Sequence, residues 1–151
     1  MALKQQKKSV QMNIQIKTEC TDIDWGTVPE ILKSVGMAHY SPEKHRQAFE
    51  ASCCTIFLYD GEDLIGFGRA ISDGAYQAVV YDVAILEKYQ GHGFGKRIIQ
   101  EILSRVSNCH VILYASPGKE GFYEKYGFRR MKTGMASFLN KDAMAKRGFT
   151  E

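Results

Sequence analysis

Apolar and polar residues alternate over 13–17, the period-2 signature of a half-buried strand. Two helices are predicted next. Asp24 stands as N-cap of a helix over 27–35, with Pro29 in its first turns and Gly36 at its end. Ser41-Pro42-Glu43 starts another helix that runs to about Ser52, with a capping hydroxyl, a proline at the first helical position and an early acid. Residues 54–59 form a strand, Asp60-Gly61 opens a hairpin turn, and 64–71 is the returning strand, with Gly66 and Gly68 as bulge or close-approach positions. After the Ser72-Asp73-Gly74 turn, 77–86 is almost continuously apolar, which predicts a central strand buried on both faces.

The pattern then changes to a helical period. Phe94, Ile98, Ile99, Ile102, Leu103 and Val106 share one side of a helix over 94–106. A short strand over 111–115 and a Ser116-Pro117-Gly118 turn lead into a helix that carries Tyr123 and stops at Gly127. Weak closing strands are expected over 128–131 and 135–139. Strands that pair first as hairpins and are then crossed by helices make an α/β (α+β) fold with a mixed sheet. Neither an internal repeat nor an interdomain linker is visible. One domain is expected over 11–140, between a disordered basic tail, 1–10, and a frayed polar tail, 141–151.

Composition narrows the function. With 151 residues, 44% hydrophobic and 25% charged, the chain suits one globular core. A net charge of +3 without a basic stripe interleaved with aromatics argues against nucleic acid. Cys20, Cys53, Cys54 and Cys109 lack ligand spacing, and His39, His45, His92 and His110 are scattered, so no metal is expected. The basic start has no apolar core behind it, and no apolar run approaches the ~18 residues of a membrane span. Reduced thiols and these absences point to the cytoplasm.

Candidate chemistry centres on the turn between the apolar strand and the long helix. Gly91, Gly93 and Gly95 allow close backbone approach, and the N-terminus of the following helix favours an anion. Lys96 and Arg97 sit in the first helical turn, where cations oppose the helix dipole unless a phosphate is bound. A Walker loop is excluded by Gln90 in its first glycine slot and Arg97 in its hydroxyl slot. A dinucleotide fingerprint is excluded by Lys96 in its third glycine slot. What remains is Gln90-x-x-Gly93-x-Gly95. It resembles the acetyl-CoA pyrophosphate loop of the GCN5-related N-acetyltransferases. Phe122-Tyr123 followed by Gly127-Phe128 resembles that family's second hallmark, downstream of a different strand. The resemblance covers about 64–131. Gly68 to Asp73, Tyr81-Asp82-Val83 and Tyr89-Gln90-Gly91 look most like its plant serotonin N-acetyltransferase-like branch and bacterial relatives.

The resemblance implies a splayed, mostly antiparallel sheet flanked by helices, with acetyl-CoA between the central strand and the next. It implies that backbone groups of Val83, Ala84 and Ile85 bind the pantetheine arm. Gln90, Gly91, His92, Gly93, Phe94, Gly95 and Lys96 would surround the pyrophosphate, and Ser116 and Phe122 would complete the cofactor site. Tyr123 is then the general acid at the leaving thiolate, with simple packing as the alternative and Tyr126 as a packing neighbour. Asp82, an acid inside an apolar strand, is either the base or a structural carboxylate satisfied by backbone N–H groups or Arg69. Asp73 and His39 are weaker base candidates. Met37 and Tyr40, with Met135 and Phe138, would wall an acceptor pocket. The expected activity is direct acetyl transfer to a primary amine, with a small amine as the leading acceptor. A protein N-terminus or lysine, or a non-catalytic acyl-CoA-binding module, is the alternative. Family habit leaves a homodimer open.

Overall fold

The computed structural model describes residues 11–151; the segment expected as a basic tail, 1–10, lies outside the described residues. The chain divides into two compact units, the first ending at Ile112 and the second being Leu113–Glu151. The first unit runs β1 (Ile14–Lys17), α1 (Thr27–Ser34), α2 (Pro42–Glu50), β2 (Cys54–Asp60), β3 (Asp63–Ser72), β4 (Gln77–Ile85), a 3-10 turn (Glu87–Tyr89), α3 (Phe94–Arg105) and β5 (His110–Ile112). The strands lie in the order β1-β2-β3-β4-β5. The first three pairings are antiparallel and β4–β5 is parallel. The sheet is mixed, as the pattern predicts, and mostly antiparallel, as the resemblance implies.

The two faces of the sheet follow the strand period. Phe57, Phe67 and Ala84 share a buried core with Val28, Ile31 and Leu32 of α1 and Phe49 of α2. Phe49 stacks on Phe57 at 5.4 Å and meets Phe67 edge-on at 5.6 Å. Gly68, the next residue, faces α3: a Cβ there would lie 2.7 Å from Ile98 Cγ2 and 3.1 Å from Ile102 Cδ1. Glycine is what lets α3 lie this close to β3.

Helix starts follow the sequence with one change. Ser41 caps α2, its hydroxyl accepting the Lys44 N–H at 3.3 Å. At α1 the cap position falls to Gly26. Asp24 supports the same turn from outside, accepting from Gly26 N–H at 3.1 Å and Thr27 Oγ1 at 2.9 Å. β4 is not buried on both faces as expected. Ala78, Val80, Ala84 and Ile85 are buried, whereas residue 79 and residues 81–83 are half-buried.

The second unit holds α4 (Glu120–Glu124) and α5 (Lys141–Lys146). The closing strands expected over 128–131 and 135–139 are irregular backbone instead. Their apolar runs are short and separated by Lys132, Thr133 and Gly134, too little side chain to define a buried face. The stretch expected to fray, 141–151, contains α5. Met144 is buried there, and the Phe149 N–H returns to the Met144 carbonyl at 3.0 Å past Gly148, which has φ 84°. Phe149 joins Tyr114 and Phe138 in an aromatic trio with ring centroids 5.5 to 6.4 Å apart. That packing anchors a sequence whose polarity alone suggested a loose end.

Candidate active site

The site begins with a defect in β4. Between the pairs Phe67–Ala84 and Arg69–Tyr81, β4 advances three residues while β3 advances two. Asp82 lies in this bulge with φ 54°, a left-handed conformation that aspartate adopts more readily than most residues. Its Oδ2 accepts from Arg69 Nε at 2.7 Å. Arg69 also donates to Ser52 Oγ at 3.3 Å and lies over the rings of Phe49 and Tyr81, at 5.6 and 5.2 Å. The Arg69 side chain is 13% exposed and that of Asp82 21%. Of the two sequence readings of Asp82, the structural contact to Arg69 is therefore present. Oδ1 has no hydrogen-bond partner among the described residues, so one carboxylate oxygen is left for a ligand.

Past the bulge the sheet opens. β5 pairs with β4 only over residues 77–79, while β4 runs on to Ile85. Among the described residues, the edge of β4 carrying Val83, Ala84 and Ile85 thus has no strand partner on the β5 side, and an extended ligand could add there as a strand does.

The glycine loop is tied to the end of this strand. Gln90 Nε2 donates to the Ile85 carbonyl at 2.9 Å, and the Tyr89 hydroxyl donates to Asp60 Oδ2 at 2.7 Å. That bond holds the Asp60 carboxyl below its usual range and pushes the Tyr89 phenol up. His92 Nδ1 lies 3.1 Å from both the Tyr89 and Gln90 carbonyls, and its ring stacks on Phe94 with centroids 5.8 Å apart. Gln90 and His92, expected around the pyrophosphate, spend their side chains on bracing the loop. Gly91 and Gly93 both have φ 81°, and a Cβ on either would meet nothing within 4 Å. Gly93 is the N-cap of α3, which has neither a side-chain cap nor an acid in its first turn. Unsatisfied N–H groups, the helix dipole, and exposed Lys96 and Arg97 together suit a phosphate, so the loop fits the CoA pyrophosphate.

The remaining predicted cofactor residues lie in the second unit. Tyr123 is half-buried on α4, and burial pushes its phenol above the ordinary value. Its ring meets Phe122 at 5.0 Å and Phe128 at 6.0 Å; no hydrogen bond to its hydroxyl is present among the described residues. Tyr126 packs on Phe122 at 5.3 Å. The Ser116 carbonyl accepts the Lys119 N–H at 2.9 Å, closing the turn before α4.

Of the residues expected to wall the acceptor pocket, Met37 and Tyr40 lie in the first unit and Met135 and Phe138 in the second. Met37 is half-buried and packs against the α1–α2 core, its N–H bonded to the Leu32 carbonyl at 2.9 Å. Tyr40 is 54% exposed. Met135 stands in solvent at 98% exposure and Phe138 belongs to the aromatic trio. Asp73 accepts three backbone N–H groups, from Ala75, Tyr76 and Gln77, at 2.7 to 3.1 Å, the work of a turn former. Reasoning from sequence missed Ser52 and His45. Neither has a motif; the position of His45 one turn before Phe49 on α2 was the signal available. The four cysteines are free, and burial pushes the Cys54 thiol up to about 11. Among the described residues no group of three or more His, Cys, Asp or Glu could hold a metal, and no helix is long and apolar enough to cross a membrane.

The chain as a whole has known relatives. The profile of the acetyltransferase (GNAT) domain matches residues 30–137. The chain belongs to the GNAT acetyltransferase family. Among curated relatives, the rice (Oryza sativa) chloroplastic serotonin N-acetyltransferase 2 is 30% identical over 75% of this chain and 60% of its own length. The uncharacterized N-acetyltransferase ycf52 of Pyropia yezoensis is 31% identical over 70% of this chain and 65% of its own. The chain thus spans about three-fifths of the length of these relatives. Among solved structures, a Staphylococcus aureus protein of unknown function superposes with a TM-score of 0.77 at 24% identity, covering 85% of this chain and 99% of that one. It shares the GNAT fold. The cytoplasmic placement expected from the sequence is overturned by the relatives. The rice enzyme is chloroplastic, as is a GCN5-related N-acetyltransferase of Arabidopsis thaliana, 31% identical over 67 residues. Free thiols, and the lack of a membrane-spanning helix among the described residues, do not distinguish these compartments.

Proposed function

We propose that this GNAT domain transfers the acetyl group of acetyl-CoA directly to a primary amine, with a small amine of the arylalkylamine class as acceptor. The observation that carries this reading is the conjunction at β4. A bulge presents the free Oδ1 of Asp82, the unpaired edge of residues 83–85 follows, and the uncapped N-terminus of α3 lies beyond. Backbone groups of Val83, Ala84 and Ile85 hold the pantetheine arm and polarise the thioester carbonyl. N–H groups from Gly91 to Lys96 hold the pyrophosphate.

The amine nitrogen attacks the thioester carbonyl carbon, a C–N bond forms and the C–S bond breaks. Asp82 Oδ1, directly or through water, takes the proton from the amine. The Tyr123 phenol gives its proton to the departing sulfur. Burial raises its affinity for that proton, so the phenol is protonated when the thiolate leaves. The rice relative, a serotonin N-acetyltransferase, favours a small aromatic amine, and its chloroplastic name favours a plastid compartment for this chain.

The test is thiol release from acetyl-CoA across serotonin, tryptamine, polyamines, amino acids and lysine peptides. Turnover on the arylamines, lost in Tyr123→Phe, supports the reading. Turnover confined to peptides replaces the acceptor class. Acetyl-CoA binding without turnover on any amine favours a binding module.

A further inference from the structure

Helix α2 carries a buried titratable group that the mechanism above does not use. His45 is 3% exposed, and its Nε2 accepts the backbone N–H of Tyr40 at 2.9 Å. An imidazole that accepts at Nε2 carries its proton on Nδ1 and is neutral; the imidazolium has no acceptor. The Tyr40 ring lies 5.7 Å from the His45 ring, with Lys44 Nζ on it at 4.5 Å. One turn further along α2, Phe49 lies under the Arg69 guanidinium, and Ser52 accepts from it. The same helix therefore holds the Tyr40 segment at its start and the Arg69–Asp82 pair at its end.

We propose that His45 is the positioning residue of the acceptor side: as a neutral imidazole it pins the Tyr40 segment to α2, and its protonation releases that segment and weakens amine binding without weakening acetyl-CoA binding. The inference rests on the acetyltransferase reading for the word acceptor; the latch itself does not. The groups facing His45 are Asp82 from β4, Arg69 from β3 and His39 from the preceding loop. Burial is the largest influence and lowers the His45 pKa; Arg69 and His39 act in the same direction, and Asp82 opposes them. The latch is accordingly closed at neutral pH and opens on the acid side of the ordinary histidine range.

Two measurements test this. The first is amide exchange and 15N–1H NMR of Tyr40 in the whole protein between pH 8 and pH 5, with no substrate. The expected result is a Tyr40 amide that loses protection along the titration curve of the His45 ring. A Tyr40 amide that ignores that titration overturns the proposal, whether or not the chain acetylates anything. The second is the wild type beside His45→Gln, whose Oε1 accepts a hydrogen bond without titrating. Any amine titrates too, so the informative quantity is the wild-type to variant ratio of acceptor KM. It should rise toward acid pH by up to roughly tenfold, the worth of one net hydrogen bond, while the same ratio for acetyl-CoA stays flat. Equal pH dependence in both proteins, or a parallel rise in the acetyl-CoA KM, contradicts the latch. Absence of turnover on every amine would sink the enzymatic reading and leave the exchange measurement to decide the latch alone.

Discussion

Replacing Arg69 tests whether the Asp82 bulge is held from β3. Arg69→Met keeps the length of the side chain and removes the charge. Three contacts go: the 2.7 Å bond to Asp82, the 3.3 Å bond to Ser52, and the cation over Phe49 and Tyr81. Removing one partner of a fully buried pair costs about 3–5 kcal/mol. Here Asp82 is 21% exposed and water can take part of its charge, so about 2 kcal/mol is expected from the pair. The lost ring contacts add roughly 0.5–1 kcal/mol. The total, about 3 kcal/mol, corresponds to a melting temperature lower by roughly 6–12 °C for a chain of this size. Urea unfolding of wild type, Arg69→Met, Asp82→Asn and the double variant closes the cycle, with the slope of the transition checked for constancy. Asparagine tolerates the left-handed backbone, so the cycle isolates the charge. The two residues should couple by about 1–2 kcal/mol. Additivity within about 0.5 kcal/mol would refute the view that Arg69 fixes the carboxylate.

Other outcomes follow from the same contacts. Tyr123→Phe should lower kcat by about 10²–10³ with little change in acetyl-CoA binding. Because burial moves the Tyr123 phenol up, the alkaline limb that it imposes on kcat/KM should lie above about pH 10; a tyrosine-dependent limb below that contradicts its role. Gly66→Ala places a Cβ 2.8 Å from the Ala84 carbonyl oxygen and against Ile85 Cδ1, forcing β4 away just before the glycine loop. A loss of about 1–3 kcal/mol in urea unfolding, with weaker acetyl-CoA binding, is expected. His45 has a folded pKa below its unfolded value of about 6.5. The stability it contributes is full above that pH and is lost as pH falls through the folded value. The unfolding free energy of His45→Gln should therefore fall less than that of wild type between pH 7 and pH 5.

The elements of the first unit were legible because their signals are strong and local. The six apolar positions predicted over 94–106 keep helical spacing, and four of them, Ile98, Ile99, Ile102 and Val106, are buried. Ser41-Pro42 marks the start of α2, and the loop glycines mark the turn that leads into α3. The bulge was not legible, since nothing in Tyr81-Asp82-Val83 announces a positive φ; the mismatch appears only when β4 is laid against β3. His45 and Arg69 were invisible as a cluster for the same reason, because tertiary pairing brings them together. The tie from Gln90 to the Ile85 carbonyl was not legible either, since the motif places Gln90 in the loop without naming its partner. In the second unit the local pattern was weakest, and there it misled twice, over the closing strands and over α5.

The central claim is direct acetyl transfer from acetyl-CoA to an amine in this domain. A single-turnover experiment, with enzyme in excess over acetyl-labelled acetyl-CoA and serotonin as acceptor, tests it most directly. Label should pass to the amine in one phase, none should be found on the protein at any quench time, and Tyr123→Phe should slow that phase. Label accumulating on the protein, or remaining wholly on CoA with the amine saturating, would contradict it.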